Sequence, residues 1–340
     1  MMHLPTSLDR PAARPSEAGA PGKRSENVHS RSSETALVSV VIPCFNYAHF
    51  LDQAIQSALD QDYPSIEIIV VNDGSTDDPA AVVEKFPTVR HVIQENRGLA
   101  AARNAGLAHC RGELVVFLDA DDRLRPGAIA AGARLLEANP SLGFAAGYST
   151  LISVGGLAQP TVNRPGCDGD DAYVSLLRRN TIRNPGTVLF RREMVEAAGG
   201  FASGVDACAD YDLYLRISRN HPAAFYDIVV AEYRKHGHNM SDNSAQMLRQ
   251  ALAVLRRQRR HLVTPELRQA YRDGCRNIRI YYGDELVTRI RSRIRRRSEW
   301  RQLLRDLAAL FWYHPAGALE EAGRKITTLW KRRDAAGPVT

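Results

Sequence analysis

From Val38 onward the chain keeps a rhythm that leaves few folds open to it. "VSVVIPCFN" reads as an apolar strand running into a loop, and "AHFLDQAIQSALDQ" sets Phe50, Leu51, Ala54, Ile55, Ala58 and Leu59 at the spacing of one helical face. "IEIIVVNDGS" is a second continuous apolar run, stopped at Asp73-Gly74, and "TDDPAAVVEKF" opens with acidic first-turn residues and reads as a helix. "VRHVIQ" predicts a third, weaker strand and "GLAAARNAGLAHC" an Ala-rich helix. "ELVVFLDADD" predicts a fourth strand, Leu114 to Leu118, followed by a helix from Pro126 to Glu137. Strands without polar alternation are covered on both faces, and strand–helix repetition gives a parallel sheet flanked by helices. The expected class is α/β.

Further on, "GFAAGYSTLISV" reads as strand, "NRPGCDGDD" as a turn-rich loop, and "AYVSLLRRN" and "RREMVEAAGGF" as helices separated by "PGTVLF". "DYDLYLRISRN" predicts an amphipathic helix, and after "AEYRKHGHNMSDNS" the sequence is helical nearly to its end. Residues 1–36, rich in Pro, Ser, Gly, Arg and Glu, are expected to be a disordered lead-in. The expected organisation is therefore a lead-in at 1–36, a catalytic domain at 37–244 and a helical, Arg-rich extension at 245–335.

Charge separates the last two parts. Between Ala245 and Arg301 there are sixteen Arg, no Lys and five acids, an excess greater than the +7 of the whole chain, so the remainder is net acidic. The five cysteines, Cys44, Cys110, Cys167, Cys208 and Cys275, never fall in a C-x-x-C pair, which argues against a disulfide framework or thiolate zinc site and favours a reducing compartment. No run approaches the ~20 apolar residues of a membrane span.

Open parallel sheets bind ligands beyond the carboxyl ends of their strands. Three polar clusters stand there: Asn46-Tyr47, Asn72-Asp73-Gly74-Ser75, and Asp119 with Asp121 and Asp122. Carboxylates this close repel one another and resist ionising without a cation nearby. A helix start, with one Asp as cap, and a divalent-metal site at the sheet rim both account for the last cluster; three polar clusters on one rim favour the second. P-loop, dinucleotide, nucleophile-elbow and H-E-x-x-H patterns are absent.

"VSVVIPCFNYAHFLDQAIQSALDQ", "IEIIVVNDGSTDD", "ENRGLAAARNAGL" and "GELVVFLDADD", in this order, resemble the family 2 glycosyltransferases, and the match runs over roughly Val38 to Ser241. The resemblance implies a GT-A fold, a Rossmann-like, mostly parallel sheet flanked by helices, here with a basic helical C-terminal extension. It implies sugar transfer from a nucleotide-sugar donor with inversion at the anomeric carbon. Asp119-Ala120-Asp121 matches the family's D-x-D. By resemblance Asp121 would ligate Mn²⁺ or Mg²⁺ while Asp119 contacts ribose or metal-bound water; alternation along an extended chain would point the two to the same side. Asp73 matches the residue that accepts a hydrogen bond from a pyrimidine ring, which implies a uridine or thymidine nucleotide. Pro43, Phe45 and Asn46 match the loop beside the base, and Arg97 and Arg103 are candidates for holding base or diphosphate.

In the family a late Glu-Asp pair supplies the base that takes the acceptor's proton. In "GVDACADYDLYLRI" Asp210 matches that base, Ala209 replaces the usual Glu, and Asp212 and Asp206 are the fallbacks. "EYRKHGHNMS" matches the closing Y-R-x-H-G-x-N-x-S, which puts His236 on the residue that completes the metal shell or touches diphosphate, with Asn239 and Ser241 suited to phosphate. Processive relatives carry Q-x-x-R-W; "QLLRD" lacks the Trp, so a single sugar per encounter is expected.

The expected partners are a nucleotide-sugar donor and a glycan or lipid-linked acceptor, in a cytoplasmic protein; the Arg-rich helices are expected to pack on the catalytic domain with a solvated basic face, docking on the inner membrane face being the alternative, and no module signature supports nucleic acid. In the last region Trp300, Leu303, Leu304, Leu307 and Phe311 are expected on one helix side, opposite the arginines. Two other readings use the same rim: a metal-dependent nucleotidyl- or phosphotransferase, and a non-catalytic scaffold.

Overall fold

The computed structural model describes residues 35–163, 171–237, 239–296 and 300–313. Most of the 1–36 segment, Cys167 and its loop, His238 and the stretch from 314 to 335 lie outside the described residues.

The first half alternates as expected: β1 (Val38–Cys44), α1 (Ala48–Leu59), β2 (Ile66–Asp73), α2 (Pro79–Val83), β3 (Arg90–Gln94), α3 (Leu99–His109) and β4 (Leu114–Phe117). β3, β2, β1 and β4 lie side by side and pair in parallel. Both faces of these strands are covered. Val41, Ile69, Val71, Val115 and Phe117 face one apolar cluster with α3, while Val40, Ile42, Ile68, Val70 and Val116 face another with α1. That two-sided burial is why the strands are apolar throughout. α3 presses so closely that a Cβ on Gly106 would stand 2.3 Å from Val41 Cγ1.

The sheet then changes character. After β5 (Arg123–Leu124) and α4 (Ala128–Ala138) come β6 (Phe144–Ile152), β7 (Ala158–Asn163), α5 (Ala172–Arg178), β8 (Val188–Arg191), α6 (Arg192–Ala197), α7 (Ala209–Ser218) and β9 (Ala223–Arg234). The order continues β4-β8-β6-β9-β5, with β8 antiparallel to both β4 and β6, and β5 antiparallel to β9. The pairing Arg123↔Glu232 and Leu124↔Ala231 brings the end of β9 back to the acidic cluster that ends β4.

Two local expectations are corrected. No aspartate caps the helix after the acidic cluster: α4 starts at Ala128 behind Gly127, which holds φ 76° and supplies no side-chain cap. Nor is Asp119–Asp122 extended. Asp122 N–H donates to Asp119 O at 3.0 Å and closes a turn, so alternation does not govern where these side chains point.

The last helices among the described residues are α8 (Ser244–Arg257), α9 (Pro265–Arg296) and α10 (Trp300–Tyr313). α8 packs on α7 and α9, α9 on α5, and α10 on α9 and α8. Leu248, Ala251, Leu252 and Leu255 of α8 and Ala270, Ile278, Leu286 and Ile290 of α9 join the same core as the sheet. The expected single apolar side of α10 is split: Leu303 and Leu310 are buried, while Trp300, Leu304, Leu307 and Phe311 face solvent.

α9 meets α5 at Gly274, where a Cβ would stand 1.9 Å from Leu177 O, a backbone atom that cannot swing away. Gly274→Ala is therefore expected to lower unfolding free energy by about 1–3 kcal/mol through overpacking, despite alanine's better helix propensity. A urea titration measures this; an unchanged or raised midpoint would mean the two helices separate freely.

Candidate active site

The three carboxylates that end β4 diverge to three different partners. Asp119 takes Arg103 Nη2 at 2.6 Å. Asp121 Oδ2 lies 2.8 Å from His236 Nε2. Asp122, 1% exposed, accepts Arg234 N–H at 2.8 Å and the Asn184 side-chain amide. Burial and the neighbouring carboxylates push both Asp121 and Asp122 above the usual carboxylate range, Asp122 well above it.

Arg103 lies on α3 and the sequence alone leaves it equally suited to the surface. It is instead 2% exposed, and its guanidinium stands 5.2 Å from the Phe201 ring centroid. It interacts with both Asp119 and Asp210, the latter in the first turn of α7. Asp210 is half-buried. Burial raises its carboxyl to about 6, Arg103 pulling the other way and Asp119 adding to the rise. Arg103 Nε and the Tyr214 hydroxyl, near the same carboxylates, are buried with no hydrogen-bond partner. Asp119, Arg103 and Asp210 thus form one electrostatic group from three elements.

The other candidates divide. Asp212 is 1% exposed and clamped by Arg216 Nε at 2.7 Å and Arg257 Nη1 at 3.3 Å, which ties α7 to α8. Asp206 lies against the 96–98 loop: a Cβ on Gly98 would be 3.5 Å from its Oδ1. Ala209 is buried in the apolar core.

The nucleotide-side candidates gather at the ends of β1 and β2. Asp73 is buried; Oδ1 accepts Gln94 Nε2 at 2.6 Å and Arg97 N–H at 2.9 Å, and Oδ2 accepts Gly98 N–H at 2.9 Å. The carboxylate therefore shapes the loop before α3 and keeps acceptor capacity on Oδ2. Asn46, at φ 61°, takes Thr76 N–H at 2.8 Å on its Oδ1 and donates its own N–H to Ser75 Oγ at 3.1 Å, which straps the first loop to the second. Pro43 is buried within β1, Phe45 and Arg97 are exposed beside these loops, and Ala120 is buried in the turn.

His236 arrives on the loop after β9. Its ring stands 5.4 Å from Tyr47 and stacks on Phe50 at 5.6 Å. Asn239 Oδ1 accepts the His236 N–H at 3.0 Å, and the Ser241 hydroxyl bonds Tyr233 at 2.7 Å.

Arg234 is the residue that reading the sequence missed. It is fully buried, donates Nε to Asp121 O at 2.7 Å, Nη1 to Val154 O at 2.7 Å and Nη2 to Gln53 Oε1 at 2.8 Å, and stands 4.7 Å from the Phe50 ring centroid. Asn184, which holds Asp122, was missed as well. The only signal for Arg234 was its place in the Y-R-x-H-G stretch.

A parallel half-sheet with loops, carboxylates and arginines at its carboxyl edge, extended by a mixed half that returns a histidine to the acidic turn, is the GT-A architecture. The likeness to solved structures says the same of the fold. Staphylococcus aureus TarS 1–349, also solved with UDP and with UDP-GlcNAc, superposes with a TM-score of 0.59 at 15% identity, covering 84% of this chain and 88% of that one. The Pyrobaculum calidifontis mannosyltransferase PcManGT, solved with GDP-Man and Mn²⁺, superposes at 0.57 with 22% identity, covering 88% of each. Residues 39–199 match the model of the glycosyl transferase family 2. The chain therefore carries a glycosyl transferase family 2 domain. Among curated relatives, chondroitin synthase of Escherichia coli is 28% identical over 227 residues, 64% of this chain and 32% of that protein. The uncharacterized protein MT1568 of Mycobacterium tuberculosis is 30% identical over 255 residues, 70% of this chain and 78% of that protein. Against the first relatives matched, the chain spans about a third of their length or less.

Proposed function

We propose that the chain is an inverting, metal-dependent, non-processive transferase that moves a sugar from a UDP-sugar to a hydroxyl of a glycan or lipid-linked acceptor. The observation that carries this reading is the convergence of Asp121 with His236 on one side of the acidic turn and of Asp119, Arg103 and Asp210 on the other.

The residues present fit a divalent cation. Among the described residues no group of three or more His, Cys, Asp or Glu gathers as a complete metal cage. A carboxylate and an imidazole in contact do form a partial set, and Asp121 is a carboxyl that burial and Asp119 make reluctant to ionise, a state that a dication relieves. Asp121 and His236 would hold the ion, and hard-cation preference leaves its other positions to phosphate and water oxygens. Bound there, Mn²⁺ or Mg²⁺ would offset the charge that develops on the departing diphosphate.

The protein's own groups do the rest. Asp73 and the Asn46 strap shape the nucleotide loops, with Pro43, Phe45, Ala120 and Arg97 along the same rim. Arg103 holds Asp119 and lies between it and Asp210. Asp210 takes the acceptor hydroxyl's proton as that oxygen attacks the anomeric carbon and the bond to diphosphate breaks. Asp212, locked by two arginines, serves the fold. TarS solved with UDP and with UDP-GlcNAc, and PcManGT solved with GDP-Man, support a nucleotide-sugar donor here.

Calorimetric titration of UDP with Mn²⁺, then with EDTA, tests the reading. The expected result is binding with the metal that weakens at least tenfold without it, and the same weakening in Asp121→Ala. Equal affinity in both buffers would remove metal dependence; GDP or dTDP binding in place of UDP would move the donor assignment.

A further inference from the structure

α10 carries a face that the fold leaves unused. Its inner edge is fixed: the Asp306 carboxylate, 2% exposed, pairs with Arg293 of α9, and Leu303 and Leu310 are buried beside it. With that edge inward, Trp300, Leu304, Leu307 and Phe311 point outward, exposed by 58%, 66%, 42% and 71%. At 3.6 residues per turn these four fall within an arc of about 60°. The exposed Arg301, Arg305 and Trp312 border the arc along one flank. The other large exposed apolar residues of the described surface, such as Leu59, Ile93, Val154, Val263 and the neighbours Ile280 and Tyr281, are scattered over separate elements. Single exposed apolar residues are ordinary, but a continuous stripe of two aromatics and two leucines marks a contact surface.

The composition of the stripe selects its occupant. A second copy packed stripe to stripe would offer these arginines no exposed acid from α10, whose one acid, Asp306, is buried against Arg293, and a nucleic acid would use the charge and leave the apolar stripe in water. An anionic lipid surface satisfies both features: acyl and headgroup boundary for Trp, Leu and Phe, phosphate for Arg. No helix among the described residues is long and apolar enough to cross a membrane.

We propose that α10 docks the protein on an anionic membrane surface, with Trp300, Leu304, Leu307 and Phe311 entering the interface and Arg301 and Arg305 contacting lipid phosphates. This goes beyond the glycosyl-transfer reading and stands whatever the donor is.

The test is sedimentation of the full chain with vesicles of phosphatidylcholine alone and with about one third phosphatidylglycerol, at low and high salt. The expected result is partitioning on the order of tenfold stronger with the anionic lipid, weakened by salt. It is expected to be lost in Leu304→Glu/Phe311→Glu with an unchanged melting temperature, and lowered about tenfold or more in Arg301→Glu/Arg305→Glu. Three outcomes overturn the proposal. One is no preference for anionic vesicles. Another is a dimer that the double-Glu variant dissociates without any vesicle binding, which makes the stripe an interface between copies. The third is a melting temperature lowered by several degrees in that variant, which means that the chain itself covers the stripe.

Discussion

Asp210→Asn is expected to lower the turnover number about 10²–10⁴-fold, the range over which a positioned general base contributes, while donor binding stays within about twofold of the unaltered protein. The substitution keeps the shape of the side chain and removes only its ability to take a proton. Burial has already raised this carboxyl to about 6 against the pull of Arg103, so it is a stronger base than a solvent-exposed aspartate and still ionised at neutral pH. The same property sets a pH dependence. Below about pH 6 the group is protonated and cannot accept the acceptor's proton, so kcat/KM should fall about tenfold per pH unit as pH drops, and level off above about 6. In Asp210→Asn that limb should vanish from the residual activity. Initial rates and calorimetry on one preparation separate the cases: loss of donor binding in step with turnover would make Asp210 a structural support for Arg103, and an unaltered rate would end its assignment as base.

Arg234→Ala should be the most destabilising single change at the site, costing about 3–5 kcal/mol, comparable to breaking a buried charge pair. The guanidinium is fully buried and reaches Asp121 O, Val154 O and Gln53 Oε1 from three different segments. Its positive charge also stands among two carboxylates that burial already disfavours in the ionised form. Truncation leaves a cavity against Phe50, buried acceptors without donors, and uncompensated negative charge. Arg234→Lys should recover little, because one ammonium on a flexible stem cannot serve three acceptors held in the plane of a guanidinium. Urea unfolding with and without UDP and Mn²⁺ measures this. A midpoint shift worth less than about 1 kcal/mol would show that the acidic turn is held by its backbone alone.

β1, β2 and β4 and the helices between them were legible because each is specified by its own residues. Two-sided burial makes a strand apolar throughout, and one-sided burial makes a helix periodic. β5 and β9 were not legible. β5 has two residues, and β9 mixes Asp227 and Glu232 with apolar positions, because it is partly exposed and Glu232 is paired with Arg123 and Arg125. Those two strands return Arg234 and His236 to the acidic turn, so the pattern of carboxylates was visible while the mechanism that assembles them was not. Asp119, Asp121, Asp210 and His236 were named from motif resemblance, and the fold brings them into two adjoining groups. The reason for their proximity lies in a register, Arg123↔Glu232, that joins residues more than a hundred positions apart.

α3 and α10 show where periodicity stops. Arg103 has the same spacing whether it lies on the surface or under Phe201; only the position of Asp119 across the sheet edge decides that it is buried. On α10 the sequence shows an apolar side but not which part faces inward, and the Arg293–Asp306 pair turns Leu303 and Leu310 to the core and leaves Trp300, Leu304, Leu307 and Phe311 outside. By itself the sequence determined the alternating α/β architecture, the rim on which polar residues collect and the family to which they point, because these follow from burial patterns and short motifs carried within single segments. Tertiary structure alone decided which carboxylate meets which cation, which arginine is buried and which helix face stays open, because each of these is an interaction across space between segments whose separation along the chain carries no signal of their contact.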